Sequence, residues 1–398
     1  MRNNDDAEEI RFQMPKHAAT WYEKLSRKGP SLPENKTLSG YESVSTSPSG
    51  RLVFFHFRDQ LMVLDTFCGV PTKLRVPAEI YDHDPLISYQ FVALDDSEGV
   101  MFRRSCVGSH CGNQFGVEVS RFRMGFRLGR LVQATDWVKI VKLYSLYQIV
   151  HLPDTQTVLI YGQIVKDRTF GGGGNWVEYV REFDLQKMEF KMEATCFKDS
   201  RLHNVGYSAF ASKWNNNYYS FFRRRLKAFP LLSTEFGQIT QINAETGDFK
   251  VLQLENDPSC AYSNSERKHL LYLDGSWHNQ HFYLHSCFSN NDERSEYEHL
   301  FARLDLETLK WTPMRFGDEN SLQTRIPLKM ALTNNDELLL IKTGNGRTIQ
   351  EQPDLRNDPL LNDKFYTSGG HMHCAVYRLA LSVLNVNHSR CLPACHPS

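Results

Sequence analysis

The chain has 398 residues, 41% hydrophobic, 12% aromatic and 23% charged, with Lys plus Arg matching Asp plus Glu at 46 each. That length exceeds the roughly 250–300 residues at which one core stops growing, so two domains or one large repetitive domain is expected, and the aromatic content suits strands better than helical bundles. A net charge of zero supplies no overall field to gather nucleic acid or an anionic membrane; neither is an expected partner, and any basic surface must be local.

The N-terminal MRNNDDAEEIRF is acidic and lacks the apolar segment of about 7–15 residues that a secretory signal needs. No run approaches the ~18–20 apolar residues of a membrane span. Nine cysteines at irregular spacing read as reduced, mostly buried thiols, which places the protein in the cytoplasm or nucleus and leaves the Asn35 and Asn387 sequons without glycan. Residues 1–39 form an N-terminal extension outside the repeat described below. Within it, PKHAATWYEKLSRK predicts a short helix with Pro15 in its first turn and Trp21, Tyr22 and Leu25 on one side.

From residue 40 onward a hairpin is written six times, as an apolar run, a polar turn and a second apolar run. The copies are YESVSTSPSGRLVFFHF, LISYQFVALDDSEGVMFRR, SLYQIVHLPDTQTVLIYG, VGYSAFASKWNNNYYSFF, LLYLDGSWHNQHFYLHSCF and PLKMALTNNDELLLIKTG. Their second strands begin near Arg51, Val100, Val158, Tyr218, His281 and Leu338, at intervals of 49 to 63 residues. A second motif follows in the same phase: an apolar residue, then Asp or Asn, then an aromatic six positions on. It reads Phe183, Asp184, Phe190; Ile242, Asn243, Phe249; and Leu304, Asp305, Trp311, with degenerate versions at Leu64 with Asp65 and at Leu379. The Asp or Asn is expected to close the turn between third and fourth strands by accepting backbone N–H groups, and the aromatic to pack back over the sheet.

Four short strands per repeat predict an all-β fold, a six-bladed β-propeller of four-stranded antiparallel blades. The blades fall at about 40–79, 85–142, 143–195, 204–256, 266–317 and 325–388, with a tail at 389–398.

The segments LDLETLKW and FDLQKMEF resemble the third and fourth strands of kelch-type propellers, in which a hydrophobic residue precedes Asp and a Trp follows at this spacing. The resemblance spans about residues 40–388 as an architecture. The Gly-Gly pair that kelch repeats carry at the end of strand two is reduced to Gly162 in one copy and Gly344 in another, so the F-box-associated type of propeller stays open. The resemblance implies a protein-binding platform and transfers no site residue.

The long connections between second and third strands leave one face of such a propeller, and binding residues collect on loops held by a rigid scaffold. Candidate partner-binding residues there are Arg223, Arg224, Arg225, Lys227 and Phe229, then Phe170 and Trp176 around Gly171–Gly174, and Arg347. The expected function is a scaffold or substrate-recognition subunit for another protein. The alternatives are a propeller enzyme acting on a glycan or small metabolite at the central channel, and a filament binder. The basic run RFRMGFRLGR, Arg121 to Arg130, reads as an outer strand and turn with its charges in water. FGGGGNW is followed by a strand and lacks the Lys-Ser/Thr of a phosphate loop. HMHC and HSRCLPACH hold metal-ligand residue types without zinc spacing, and DLRNDPLLND lacks the calcium-loop pattern. No cofactor, no metal and no catalytic residue is therefore assigned, and an enzyme is not the expected class.

Overall fold

The computed structural model describes residues 10–12, 16–24, 43–57, 60–69, 71–77, 87–107, 114–143, 145–152, 155–168, 174–191, 195–196, 208–225, 232–234, 236–258, 268–290, 297–316, 328–345 and 371–381. Among these residues the chain is all-β, with a 3-10 turn at Phe126–Leu128, and no helix is long and apolar enough to cross a membrane.

Two strands come first, β1 (Ile10–Phe12) and β2 (Lys16–Lys24). A first antiparallel meander follows: β3 (Ser43–Thr46), β4 (Leu52–Phe57), β5 (Gln60–Asp65) and β6 (Pro71–Arg75). The second consists of β7 (Ile87–Ala93), β8 (Glu98–Val107) and β9 (Gln114–Gly125), and its fourth place is shared by β10 (Arg130–Gln133) and β11 (Val138–Leu143), which pair with opposite ends of β9. Next come β12 (Ser145–Leu152), β13 (Thr157–Arg168), β14 (Gly174–Asp184), β15 (Glu189–Phe190) and β16 (Thr195–Cys196). The following sheet contains β17 (Ser208–Trp214), β18 (Asn217–Arg225), β19 (Leu232–Thr234), β20 (Gln238–Asn243) and β21 (Phe249–Gln253). Then come β22 (Lys268–His278), β23 (His281–Asn290), β24 (Tyr297–Asp305) and β25 (Lys310–Phe316), with β1 added in parallel to β25. The last sheet is β26 (Leu328–Leu332), β27 (Glu337–Asn345) and β28 (His371–Ala380), completed by β2 lying antiparallel to β28.

The arrangement is a propeller-like ring of four-stranded sheets. Six separate blades, the expectation from the repeat, are not what the pairing gives: four sheets stand alone and one has nine strands. The reason is local. β6 and β10 run parallel at their outer edges, with Arg75 opposite Arg130, and the Arg75 N–H donates to the Gly129 carbonyl at 2.9 Å. The helix expected over residues 15–28 is also corrected, since Lys16–Lys24 is a strand. Strand β28 would otherwise end its sheet on an open edge, and pairing that edge outweighs a weak helical preference in a segment containing Thr20, Trp21 and Tyr22.

The ring is held face to face. Along the second strands side chains alternate between the two neighbouring sheets, as a period of two requires. Leu52 and Phe54 join Phe91, Met101 and Phe122 of the second meander, while Val53 and Phe55 join Leu339, Ile341 and Val376 of the last sheet. Val158 and Ile160 pack on Val100, Phe102 and Val119, whereas Leu159 and Tyr161 pack on Tyr218 and Ile242. Phe221 and Ile239 meet Phe282, Leu304 and Trp311; Tyr283 and Phe301 meet Leu338, Leu340 and Tyr377. Because both faces are covered, β4, β13 and β27 read as nearly continuous apolar runs. The seam between the last and first sheets is bonded as well: Arg378 Nη2 donates to the Gly50 carbonyl at 2.6 Å, and the Asn334 N–H to the Pro48 carbonyl at 2.9 Å. Gly50 sits at φ +69°, and a Cβ there would come within 2.3 Å of Thr333, so the turn needs glycine.

The Asp/Asn motif does what its spacing implies. Asp184 Oδ1 accepts the N–H groups of Gln186 and Lys187 at 2.9 and 3.0 Å, and Asn243 Oδ1 those of Glu245 and Thr246 at 2.9 Å each. Asp65 and Asp305 make the same turn bonds to Phe67 and Glu307. Burial pushes the Asp184 carboxyl up, but the two N–H bonds outweigh it and hold the group below its ordinary value. The aromatic partners pack inward: Phe190 lies edge-on to Phe183 at 5.3 Å, and Trp311 is fully buried with its Nε1–H donating to the Phe236 carbonyl at 2.8 Å.

Trp311 touches Phe221 and Phe236 across the join between two sheets and Phe282 within its own sheet. Trp311→Ala is expected to lower unfolding free energy by about 3–5 kcal/mol, measured by chemical denaturation. A loss under about 1 kcal/mol would mean that the join does not depend on this side chain.

Candidate functional site

The first strands β3, β7, β12, β17, β22 and β26 surround a central cavity of about 710 Å³. Each first strand has one edge paired and the other turned toward the axis, where side chains from all the sheets converge. Small and polar residues therefore replace the aliphatic pattern of the second strands: Ser45, Ser212, Gly275, Ser276 and Ala331 all line the space.

The polar groups of the lining fall into two sorts. Some are spent on structure. Glu182, only 6% exposed, accepts from the Tyr218 hydroxyl at 2.8 Å and is ion-paired to Lys213, tying β14 to β17 and β18 of the next sheet. Lys191 Nζ donates to Thr157 Oγ1 at 2.5 Å, Trp277 Nε1–H to the Phe210 carbonyl at 2.5 Å, and His278 Nε2 pairs with Asp336 at 2.9 Å. Others have no partner among the described residues: Ser45 Oγ and His151 Nε2, on two lining residues, are both shut off from solvent and unbonded. Burial pushes His151 down to about 4, so its ring is neutral at pH 7.

Chemically this is a hydrogen-bonding chamber rather than an acid–base pair. Glu182 is the one carboxylate among the described lining residues, and it is already engaged. Among the described residues no three His, Cys, Asp or Glu side chains gather as metal ligands. His371, His373 and Cys374 lie on β28, and the remaining ligand types of the tail lie outside the described residues.

The partner-binding residues expected from the sequence lie elsewhere. Arg223, Arg224 and Arg225 are not in a loop: they end β18, opposite Thr234, Ser233 and Leu232 of β19. Trp176 is on β14 opposite Val165, and Gly174 opens that strand opposite Arg168. Lys227, Phe229, Phe170, Arg347 and Gly171–Gly173 lie outside the described residues. The sequence reading missed His151, Ser45 and the Glu182–Lys213 pair. Their signal was the polar character of the first strand in each hairpin, SVST, YQIVHL and SAFASKW, against the apolar second strand.

No protein-family model matches the chain, and no curated protein matches it in sequence. Among solved structures it is similar to a chain of the Kuenenia stuttgartiensis hydrazine synthase, with TM-score 0.35 and 12% identity over 79% of this chain and 95% of that one. It is similar to the phage phi92 endosialidase at 0.35 and 9%, over 98% and 70% of the two chains. A chain of a mitotic checkpoint complex gives 0.38 and 12%, over 79% and 96%. Likenesses at this level assign neither family nor activity.

Two measurements probe the chamber. Between pH 6.5 and about 4 the unfolded chain binds a proton at His151 that the folded chain does not, so this contribution to stability is full above pH 6.5 and falls as the pH drops. The loss amounts to roughly 3 kcal/mol by pH 4. His151→Leu should flatten the dependence of stability on pH between about 5 and 6.5; an unchanged slope would show that the ring is solvated. Lys213→Met should cost about 3–5 kcal/mol by leaving the Glu182 carboxylate unpaired. Adding Glu182→Met should recover most of it, and a double variant no better than the single would refute the pairing.

Proposed function

We propose that the chain is a kelch-like, six-bladed scaffold that binds another protein on the face where second and third strands are joined. The blade count follows from counting the nine-stranded sheet as two blades. Each of the six apolar clusters then lies between one pair of consecutive blades, and the cluster of Val53 and Phe55 with Leu339 and Ile341 lies between last and first. The kelch-like assignment is supported by the turns of Asp184, Asn243 and Asp305, where the motif residues make the expected bonds.

The observation that carries the function is a pair of ribbons. β13 and β14 stay paired out to Arg168 and Gly174, whereas among the described residues β12 pairs with β13 as far as Gln163. Likewise Arg223–Arg225 pair, among the described residues, with β19 alone, beyond the stretch of β18 that pairs with β20. Two-stranded ribbons running past the body of their sheets give a partner backbone and side chains to grip, on a frame that the ring makes rigid. Arg223, Arg224, Arg225 and Trp176 lie on them, while Lys227, Phe229, Phe170 and Arg347 stay candidates from the sequence alone, outside the described residues. Arginine beside aromatic groups suits an acidic, partly apolar protein edge. A cytosolic scaffold of this kind needs no cofactor.

Affinity capture from cells with the full chain, followed by mass spectrometry, tests the reading. Arg224→Glu with Arg225→Glu should reduce capture of the principal partner at least about tenfold, the loss of two buried charge-assisted contacts. Replacing all the strand two-to-three connections with short turns should abolish it. A partner still captured unchanged by that second variant would place the interface on another face.

A further inference from the structure

The neutral total conceals a local concentration of charge. At the outer rim of the second meander β9 ends at Gly125, the chain turns through Phe126–Leu128, and Gly129, at φ +61°, leads into β10. Along β9, Arg121 and Arg123 are both taken up by Glu98, at 3.2 and 2.9 Å. Arg127 and Arg130 are exposed, Arg75 is exposed on β6 opposite Arg130, and none of the three has an acidic partner among the described residues.

The same tip carries apolar side chains in water. Phe126 is 41% exposed, Leu128 64% and, on β10 beside them, Val132 37%. The ring does not use these residues: they belong to none of its apolar clusters, whereas Phe122 and Leu131 from the same two strands are fully buried. The run therefore divides its apolar residues between core and tip.

We infer that this hairpin tip docks on an anionic phospholipid surface. A hairpin tip has no groove to hold an extended acidic chain. A nucleic acid would engage the cations and leave Phe126 and Leu128 idle. Anionic headgroups use both features, because the two apolar side chains enter between headgroups while Arg75, Arg127 and Arg130 meet the phosphates. Arginine forks are suited to phosphate oxygens. This proposal departs from the expectation, drawn from net charge, that a membrane is no partner. Such docking is peripheral and reversible, and it lies on the rim of the ring, apart from the ribbons.

Sedimentation of the full chain with vesicles decides the matter, using phosphatidylcholine alone and phosphatidylcholine with about 30% phosphatidylserine. The wild type should pellet with the second and not with the first, and should be released at about 0.5 M salt, where screening shortens to a few ångströms. Arg127→Glu with Arg130→Glu should weaken binding at least about tenfold, each cation near such a surface being worth roughly fivefold. Phe126→Ser with Leu128→Ser should weaken it several-fold at low salt, with circular dichroism and melting temperature unchanged for both variants. Wild type left in the supernatant with both vesicles would overturn the inference. So would binding that the Phe126/Leu128 variant retains in full, and so would binding of labelled polyglutamate in place of vesicles, which would assign the tip to an acidic polypeptide.

Discussion

The structure depends on burial of both faces of every sheet. Successive residues of one strand serve different interfaces: Phe54 faces one neighbour and Phe55 the other, and Leu159 and Ile160 divide in the same way. A sheet of this composition standing alone would expose two apolar faces, and each face is worth several side chains at about 1.5–3 kcal/mol apiece. No sheet can therefore be stable by itself, and a row of sheets would leave two raw ends. Closing the row into a ring removes both ends, which is why the contacts of Val53 and Phe55 with Leu339 and Ile341 are as apolar as any other join.

Closure also explains what the ends of the chain do. The last sheet has only three strands from the C-terminal part, and its outer place is filled by Lys16–Lys24 from the N-terminal part. Pairing across that distance in sequence ties the first residues to the last strand by backbone bonds, while Arg378 and Asn334 bond to the turn at Pro48 and Gly50 on the neighbouring sheet. Backbone pairing and side-chain packing thus fix the seam through different residues. The cost of bringing distant segments together grows only slowly with the length of chain between them.

Legibility followed the physics of each level. The hairpins were visible because an alternation of two interfaces writes long apolar runs, and the turns were visible because Asp184, Asn243 and Asp305 must accept local N–H groups wherever the strand reverses. Both are short-range requirements repeated at a fixed interval. The role of residues 16–24 was not legible, since Pro15 and a run of helix-tolerant residues suggest a helix and only the open edge of β28, hundreds of residues away, makes a strand the better answer. The merging of the first two meanders was hidden for a similar reason: it rests on the meeting of Arg75 and Arg130 at their outer edges, which no periodicity records.

The candidate site divides along the same line. Around the axis, convergence of the first strands favours small or polar residues, so Ser45, Ser212 and His151 stand opposite Phe54, Tyr219 and Val158 of the second strands. That preference comes from the ring itself and would be met in a protein of any function, so a polar lining alone does not specify a ligand. Side chains that serve neither the ring nor the turns are the informative ones. Phe126 and Leu128 remain in water although the same run supplies Phe122 and Leu131 to the core, and Arg75 and Arg130 remain side by side although like charges repel. The ring's apolar clusters make no use of the pair at this tip, and the cations beside it have no acidic partner among the described residues, so both features are available to a surface outside the chain.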